Sequence, residues 1–164
     1  MKPYRIALLL FCVATLLSSP LTAFGGDDYR RAVATADVNR LQHVSDSLRT
    51  RLQILERVLV IVVDHNPLVM SVETLSGRSG PFVISADRQF ISSLSVGELE
   101  AAIAHELGHV WIYTHHPYEQ SERLANEVAL RVIDAGVFAP VYEKVWRRMG
   151  MRGNLADFIS LPQD

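Results

Sequence analysis

At 164 residues, with 49% hydrophobic and 21% charged side chains, the chain has the length and composition of one folded domain; two full-size cores and a disordered polyelectrolyte are both excluded. A formal charge of −2 lacks the basic footprint of a nucleic-acid binder, so no nucleic-acid partner is expected.

Lys2 and Arg5 precede an apolar run from Ile6 to Leu17, and Ser18, Ser19, Pro20, Thr22 and Ala23 follow it. The run has 12 residues, against the about 20 needed to cross a bilayer as a helix. Residues 1–23 therefore read as a signal peptide cleaved after Ala23, leaving a single domain at 24–164 in the periplasm or secreted. If the segment is retained, residues 6–22 are a membrane anchor instead; no other stable membrane span is expected. Cys12 is the one cysteine, and Phe11 before it is too large for a lipid-attachment signal. The processed chain then has neither a disulfide nor a thiolate, and any metal must be held by His, Asp or Glu.

From Asp37, apolar residues at Leu41, Val44, Leu48, Leu52, Leu55 and Leu59 recur every three or four positions, which predicts an amphipathic helix of about five turns. Val58 to Val63 predicts a buried strand ended by Asp64-His65-Asn66-Pro67, and Leu68 to Glu73 a second strand. Phe82 to Ser85 predicts a third; Pro81 before it lacks a donor, which suits a sheet edge. Ser95 and Glu98 form the pattern of a capping box that opens a helix. This helix should run to about Thr114, since His116 precedes Pro117. Further helices are expected from near Glu119 to Ala135, with Gly136 as a left-handed cap, from Pro140 to Met149, and as a last turn over Leu155 to Leu161. Strands followed by helices predict an α+β fold.

The informative stretch is His105-Glu106-Leu107-Gly108-His109. On a helix, histidines at i and i+4 share one sector, and both ring nitrogens can reach one zinc ion at about 2.0 to 2.1 Å. Glu106 falls beside them, placed to act as a general base. Ala101, Ala102, Ala104 and Gly108 keep the rest of this helix small, and Gly108 costs about 1 kcal/mol relative to alanine, a cost that close approach of another backbone or a substrate would justify. A catalytic zinc needs a third protein ligand. His115 lies six residues after His109, but Ile112 resists the left-handed turn that would bring it round; Glu122 on the next helix is the other candidate.

With Glu122-Arg123-Leu124-Ala125-Asn126 following the motif, and Leu94 to Leu99 leading into it, the chain resembles the gluzincin zinc metallopeptidases of the CaaX prenyl endopeptidase and HtpX heat-shock protease kind, in minimal minigluzincin form. The resemblance spans roughly residues 41–137. It implies a zincin-like domain with a small sheet of three strands or slightly more packed on the motif helix and further helices, and Zn²⁺ on His105, His109 and Glu122. In the family the residue at position 126 is an aspartate that orients a ligand histidine; here it is Asn126, which keeps the hydrogen bond without the charge. Phe82 to Ser85 resembles the family's edge strand, where a protein or peptide substrate would add as an extended strand near Val83 and Ser85. The expected activity is metal-dependent endopeptidase cleavage with Glu106 as base. Tyr113, His116, Tyr118, Arg123, Arg131 and Tyr142 are the side chains that could stabilise the developing oxyanion. Two other classes remain open at this point: an exported, zinc-binding but proteolytically idle adaptor, against which the intact Glu106 speaks, and an envelope-interaction domain with a fortuitous motif.

Overall fold

The computed structural model describes residues 36–75, 80–117 and 119–158; the signal-peptide reading of residues 1–23 lies outside them. The elements are α1 (Ala36–Arg51), β1 (Val58–Val63), β2 (Met70–Thr74), β3 (Phe82–Asp87), α2 (Arg88–Ser92), α3 (Val96–His115), α4 (Glu122–Ala129) and α5 (Phe138–Met149), with 3₁₀ turns at Ala135–Val137 and Leu155–Asp157. This is the expected α+β layout, a three-stranded sheet with the motif helix α3 packed among α1, β2, α4 and α5. None of the described helices is long and apolar enough to cross a membrane.

The sheet order is β1-β3-β2, with β1 parallel and β2 antiparallel to β3. This corrects the edge placement of the third strand. Val83 pairs with Leu59 on one side and Glu73 on the other, and Ser85 with Ile61 and Ser71. Both residues are buried, and the Ser85 carbonyl also accepts from Asn66 Nδ2. An extended peptide has no place at Val83 or Ser85. Pro81 misled because it precedes the ladder, where its missing N–H removes no bond, whereas the near-continuous apolar run after it suits a strand covered on both faces.

The two outer edges differ. At β1 the side-chain amide of Gln42, from α1, donates to the Val58 carbonyl and accepts from the Val60 N–H, both at 2.9 Å. A side chain thus takes the place of a neighbouring strand over the first residues of that edge. At β2 no further strand follows among the described residues. The Asp87 N–H donates to the Val69 carbonyl, so by antiparallel alternation the main-chain groups of Ser71 and Glu73 face β3 and those of Val72 face outward.

Helix α1 buries Leu41 and Leu48 as its spacing predicts but stops at Arg51, and Leu52 is buried in the turn that follows. Gln53 turns left-handed at φ 58°, Leu55 is 90% exposed, and Leu59 belongs to β1. Strand β2 starts two residues later than expected because Asn66 holds a turn, accepting from Leu68 N–H on its side chain and from Val69 N–H on its carbonyl. Helix α4 ends at Ala129, well before Ala135; Gly136 is no left-handed cap but donates its N–H to the Asp134 side chain.

Helix α3 begins on the predicted capping box. Ser95 N–H donates to Glu98 Oε2 at 2.6 Å, and Glu98 N–H to Ser95 Oγ at 3.4 Å. Lys144 of α5 adds an ion pair to the same carboxylate at 2.7 Å. That hydrogen bond, with the Ser95 amide, outweighs burial and holds the Glu98 carboxyl down to about 2. A folded value below the unfolded one stabilises the fold at pH above about 4.5, and this contribution is lost as pH falls towards 2. Discounted for the water that still reaches Lys144, it is about 2 kcal/mol. Glu98→Gln retains the cap and removes the charge. Denaturant titrations should show the variant less stable by about 1 to 2 kcal/mol at pH 7, with the difference shrinking by pH 3; a difference that does not depend on pH would refute the ion-pair assignment.

Candidate metal centre

Helices α3 and α4 cross at Gly108. A β-carbon there would stand 2.4 Å from the Ala125 carbonyl oxygen and 2.9 Å from its Cα and carbonyl carbon. The close approach expected at this glycine is therefore that of a neighbouring backbone, and it brings the first turn of α4 beside the middle of α3. Ser121 caps α4 by accepting from Leu124 N–H, so Glu122 is the first helical residue, directed at the two histidines.

His105 Nε2 lies 3.2 Å from His109 Nε2 and 3.1 Å from Glu122 Oε2, and His109 Nε2 lies 3.5 Å from Glu122 Oε1. Donors about 2.0 to 2.1 Å from a tetrahedral zinc stand about 3.3 to 3.4 Å apart. Each pair of side chains meets close to that spacing, the two histidines reaching different oxygens of Glu122, and with one donor atom from each residue within 4.8 Å of the others the three form a cluster that could hold a metal.

The outer ring nitrogens are engaged. His105 Nδ1 is 2.7 Å from Asn126 Oδ1, and His109 Nδ1 is 3.1 Å from Gln120 Oε1. The Gln120 amide also donates back to the His109 carbonyl at 3.1 Å, clipping ring and backbone together. Amide oxygens only accept, so both rings carry hydrogen on Nδ1 and turn the Nε2 lone pair inward. Two lone pairs and a carboxylate then face one another with no hydrogen between them, an arrangement that draws a cation. Without a metal that cation is a proton: burial opposes charge on His105, but the Glu122 hydrogen bond and field, aided by Glu106, raise its pKa to about 9. Burial likewise works against the Glu122 carboxylate, and the hydrogen bonds and charges of the two histidines hold it well below the usual range.

Glu106 is buried, and its Oε2 has no hydrogen-bond partner. Burial pushes its carboxyl up, the fields of His105 and His109 pull it down, and that of Glu122 adds to the rise; the net direction is upward. A buried carboxylate with an idle oxygen beside a cation site is suited to exchanging a proton with a small polar ligand.

Among the described residues the structure brings together His105, Glu106, His109, Glu122 and Asn126, and leaves His115 out. His115 is exposed, its ring stacked on Trp111 at 4.3 Å and its Nδ1 against the Trp111 carbonyl and Thr114 Oγ1. Of the oxyanion candidates, Tyr142 adjoins the site, its hydroxyl 2.6 Å from Asn126 Nδ2. Tyr113 packs edge-on to Phe82, Arg123 pairs with Glu127, Arg131 lies over Trp111, and His116 packs near the same indole. Tyr118 lies outside the described residues. Gln120 escaped sequence reasoning: an isolated amide in a loop has no spacing signal, and only the crossing at Gly108 shows what it touches.

No family model matches the sequence, and comparison with curated proteins gives no match. Among solved structures the chain is similar to the crystal structure of the metallopeptidase zymogen of Pyrococcus abyssi abylysin, at 15% identity and a TM-score of 0.49, over 70% of this chain and 99% of that one. The chemistry is therefore read from the side chains themselves: an α+β domain with a His-His-Glu cluster that could bind a metal ion.

Proposed function

We propose that this chain is a zinc-dependent endopeptidase of gluzincin type, exported by its first 23 residues to the periplasm or beyond. The observation that carries the reading is the convergence of His105, His109 and Glu122 close to zinc-ligand spacing, with both outer ring nitrogens engaged by amides and a buried Glu106 carboxylate alongside whose Oε2 has no hydrogen-bond partner. Two imidazoles and one carboxylate are the donor set of catalytic zinc, which keeps a further position for water or substrate. When bound, the ion supplies Lewis acidity to a substrate carbonyl and makes water a nucleophile near neutral pH.

The chain's own residues supply the rest. Glu106, its carboxyl raised by burial, accepts the proton of the attacking water and returns it to the leaving amine. Asn126 and Gln120 hold the histidines against rotation. The outward main chain of Val72 on β2, the edge that Gln42 does not cover, is where an extended peptide can pair, and β2 packs against α3. A proteolytically idle adaptor would have no use for a buried, unpartnered Glu106.

Metal analysis tests the ligand set. Glu122→Ala should weaken zinc binding by more than the about 10- to 100-fold typical of losing an outer partner, whereas His115→Ala should leave the dissociation constant unchanged. Zinc lost on removing His115 and kept on removing Glu122 would overturn the assignment.

A further inference from the structure

We infer that the main-chain carbonyl of Phe158 decides which way the Asn126 amide faces and thereby which nitrogen of His105 is free for a metal, which makes the C-terminal segment a part of the cation site. The inference rests on the metallopeptidase reading above and adds to it a positioning group that is remote in sequence.

The side chain of Asn126 is fully buried. Its Oδ1 faces His105 Nδ1 at 2.7 Å, and its Nδ2 lies 2.6 Å from the Tyr142 hydroxyl and 2.9 Å from the Phe158 carbonyl oxygen. Turned over, the same amide would present its NH₂ to His105 Nδ1. The ring would then have to accept there and carry its hydrogen on Nε2, pointing at Glu122 and removing the lone pair a metal needs. Two of the three neighbours are indifferent to this choice, since imidazole has two tautomers and a tyrosine hydroxyl both donates and accepts. The Phe158 carbonyl only accepts, and a turned amide would set two carbonyl oxygens 2.9 Å apart. That contact selects the orientation.

The same logic accounts for asparagine at this position. An aspartate could accept from His105 and from the Tyr142 hydroxyl, but its second oxygen would face the Phe158 carbonyl with no hydrogen between them. The carbonyl is brought back across 32 residues by specific contacts. Gly150 turns the chain at φ 66°, Met151 N–H donates to the Trp146 carbonyl, and Gly153 lies so close to the Trp146 ring that a β-carbon would stand 2.5 Å from it. The Phe158 ring then packs on Tyr142 and Trp146, with centroids 5.5 and 6.2 Å away.

A four-member cycle tests the coupling: the full chain, Asn126→Asp, a chain ending at Ala156, and the two changes together. The readouts are the zinc dissociation constant by competition with a chelator and the exchange-protected Nδ1–H resonance of His105 in the zinc-loaded protein. Truncation alone and Asn126→Asp alone should each raise the dissociation constant about 10- to 100-fold, and truncation should abolish the protected resonance. Together they should bind zinc more tightly than truncation alone, because an aspartate without the carbonyl opposite holds His105 in either orientation. Effects that simply multiply, or a truncated chain that keeps both affinity and resonance, would overturn the inference. Should the truncated chain fail to fold, a semisynthetic ester at the 158–159 bond weakens that carbonyl in place; an unchanged dissociation constant then overturns it. Failure of the full chain to bind zinc would instead remove the metallopeptidase reading, and this inference with it.

Discussion

Glu106→Gln should lower peptide hydrolysis by about 10²- to 10⁴-fold, the usual contribution of a positioned general base, while leaving zinc affinity nearly unchanged. The glutamine fills the same space on α3 and contributes no ligand, since the proposed donor set is His105, His109 and Glu122. What it loses is the capacity to accept a proton at Oε2, a buried atom with no other partner. Removing a buried carboxylate whose burial raises its pKa should also not destabilise the fold, and thermal denaturation of the variant should occur at or slightly above the parental temperature. Full hydrolytic activity in this variant would defeat the mechanism, and loss of zinc would show that Glu106 belongs among the ligands.

Gly108→Ala should be destabilising and should weaken zinc binding together. Helix propensity alone predicts the reverse, since alanine in a helix interior is favoured over glycine by about 1 kcal/mol. The magnitude of the clash decides. The new β-carbon would meet the Ala125 carbonyl oxygen at 2.4 Å, about 1 Å inside ordinary contact, and the obstacle is backbone that cannot rotate away. Helix α4 must move, at a cost of about 1 to 3 kcal/mol for an overpacked interior. That movement carries Glu122 away from the histidines and disturbs Asn126, so the zinc dissociation constant should rise by about 10-fold or more. Denaturant unfolding and chelator competition check the two effects on one protein sample. A variant as stable as the parent with unchanged zinc affinity would show that the α3–α4 crossing is not what positions the site.

Where a signal in the sequence was local, it was legible. The Ser95 and Glu98 box marked the start of α3 correctly, Pro117 marked its end to within a residue, and β1 emerged from its β-branched run with the right bounds. The motif and Glu122 lie together because their positions depend on helix geometry and one glycine. Longer-range competition defeated the same reasoning elsewhere. The apolar spacing of α1 continues through Leu55 and Leu59, yet a left-handed Gln53 ends the helix and hands Leu59 to the sheet. Nothing local in Phe82 to Asp87 tells whether the strand has one neighbour or two, and a proline just outside the ladder is compatible with either. Helix α2 is too short to show an apolar period, and its one local mark is the cap Asp87, which accepts from Phe90 N–H. Gln120, Tyr142 and Phe158 join the site only through tertiary packing, and no spacing rule connects them to His105 or His109.

The measurement closest to the central claim is anomalous diffraction at the zinc absorption edge from crystals of the purified, zinc-loaded protein. The account predicts one strong peak about 2.0 to 2.1 Å from His105 Nε2, His109 Nε2 and a Glu122 carboxylate oxygen, with Glu106 unligated beside it. A zinc peak elsewhere, or one whose third protein ligand is not Glu122, would contradict it.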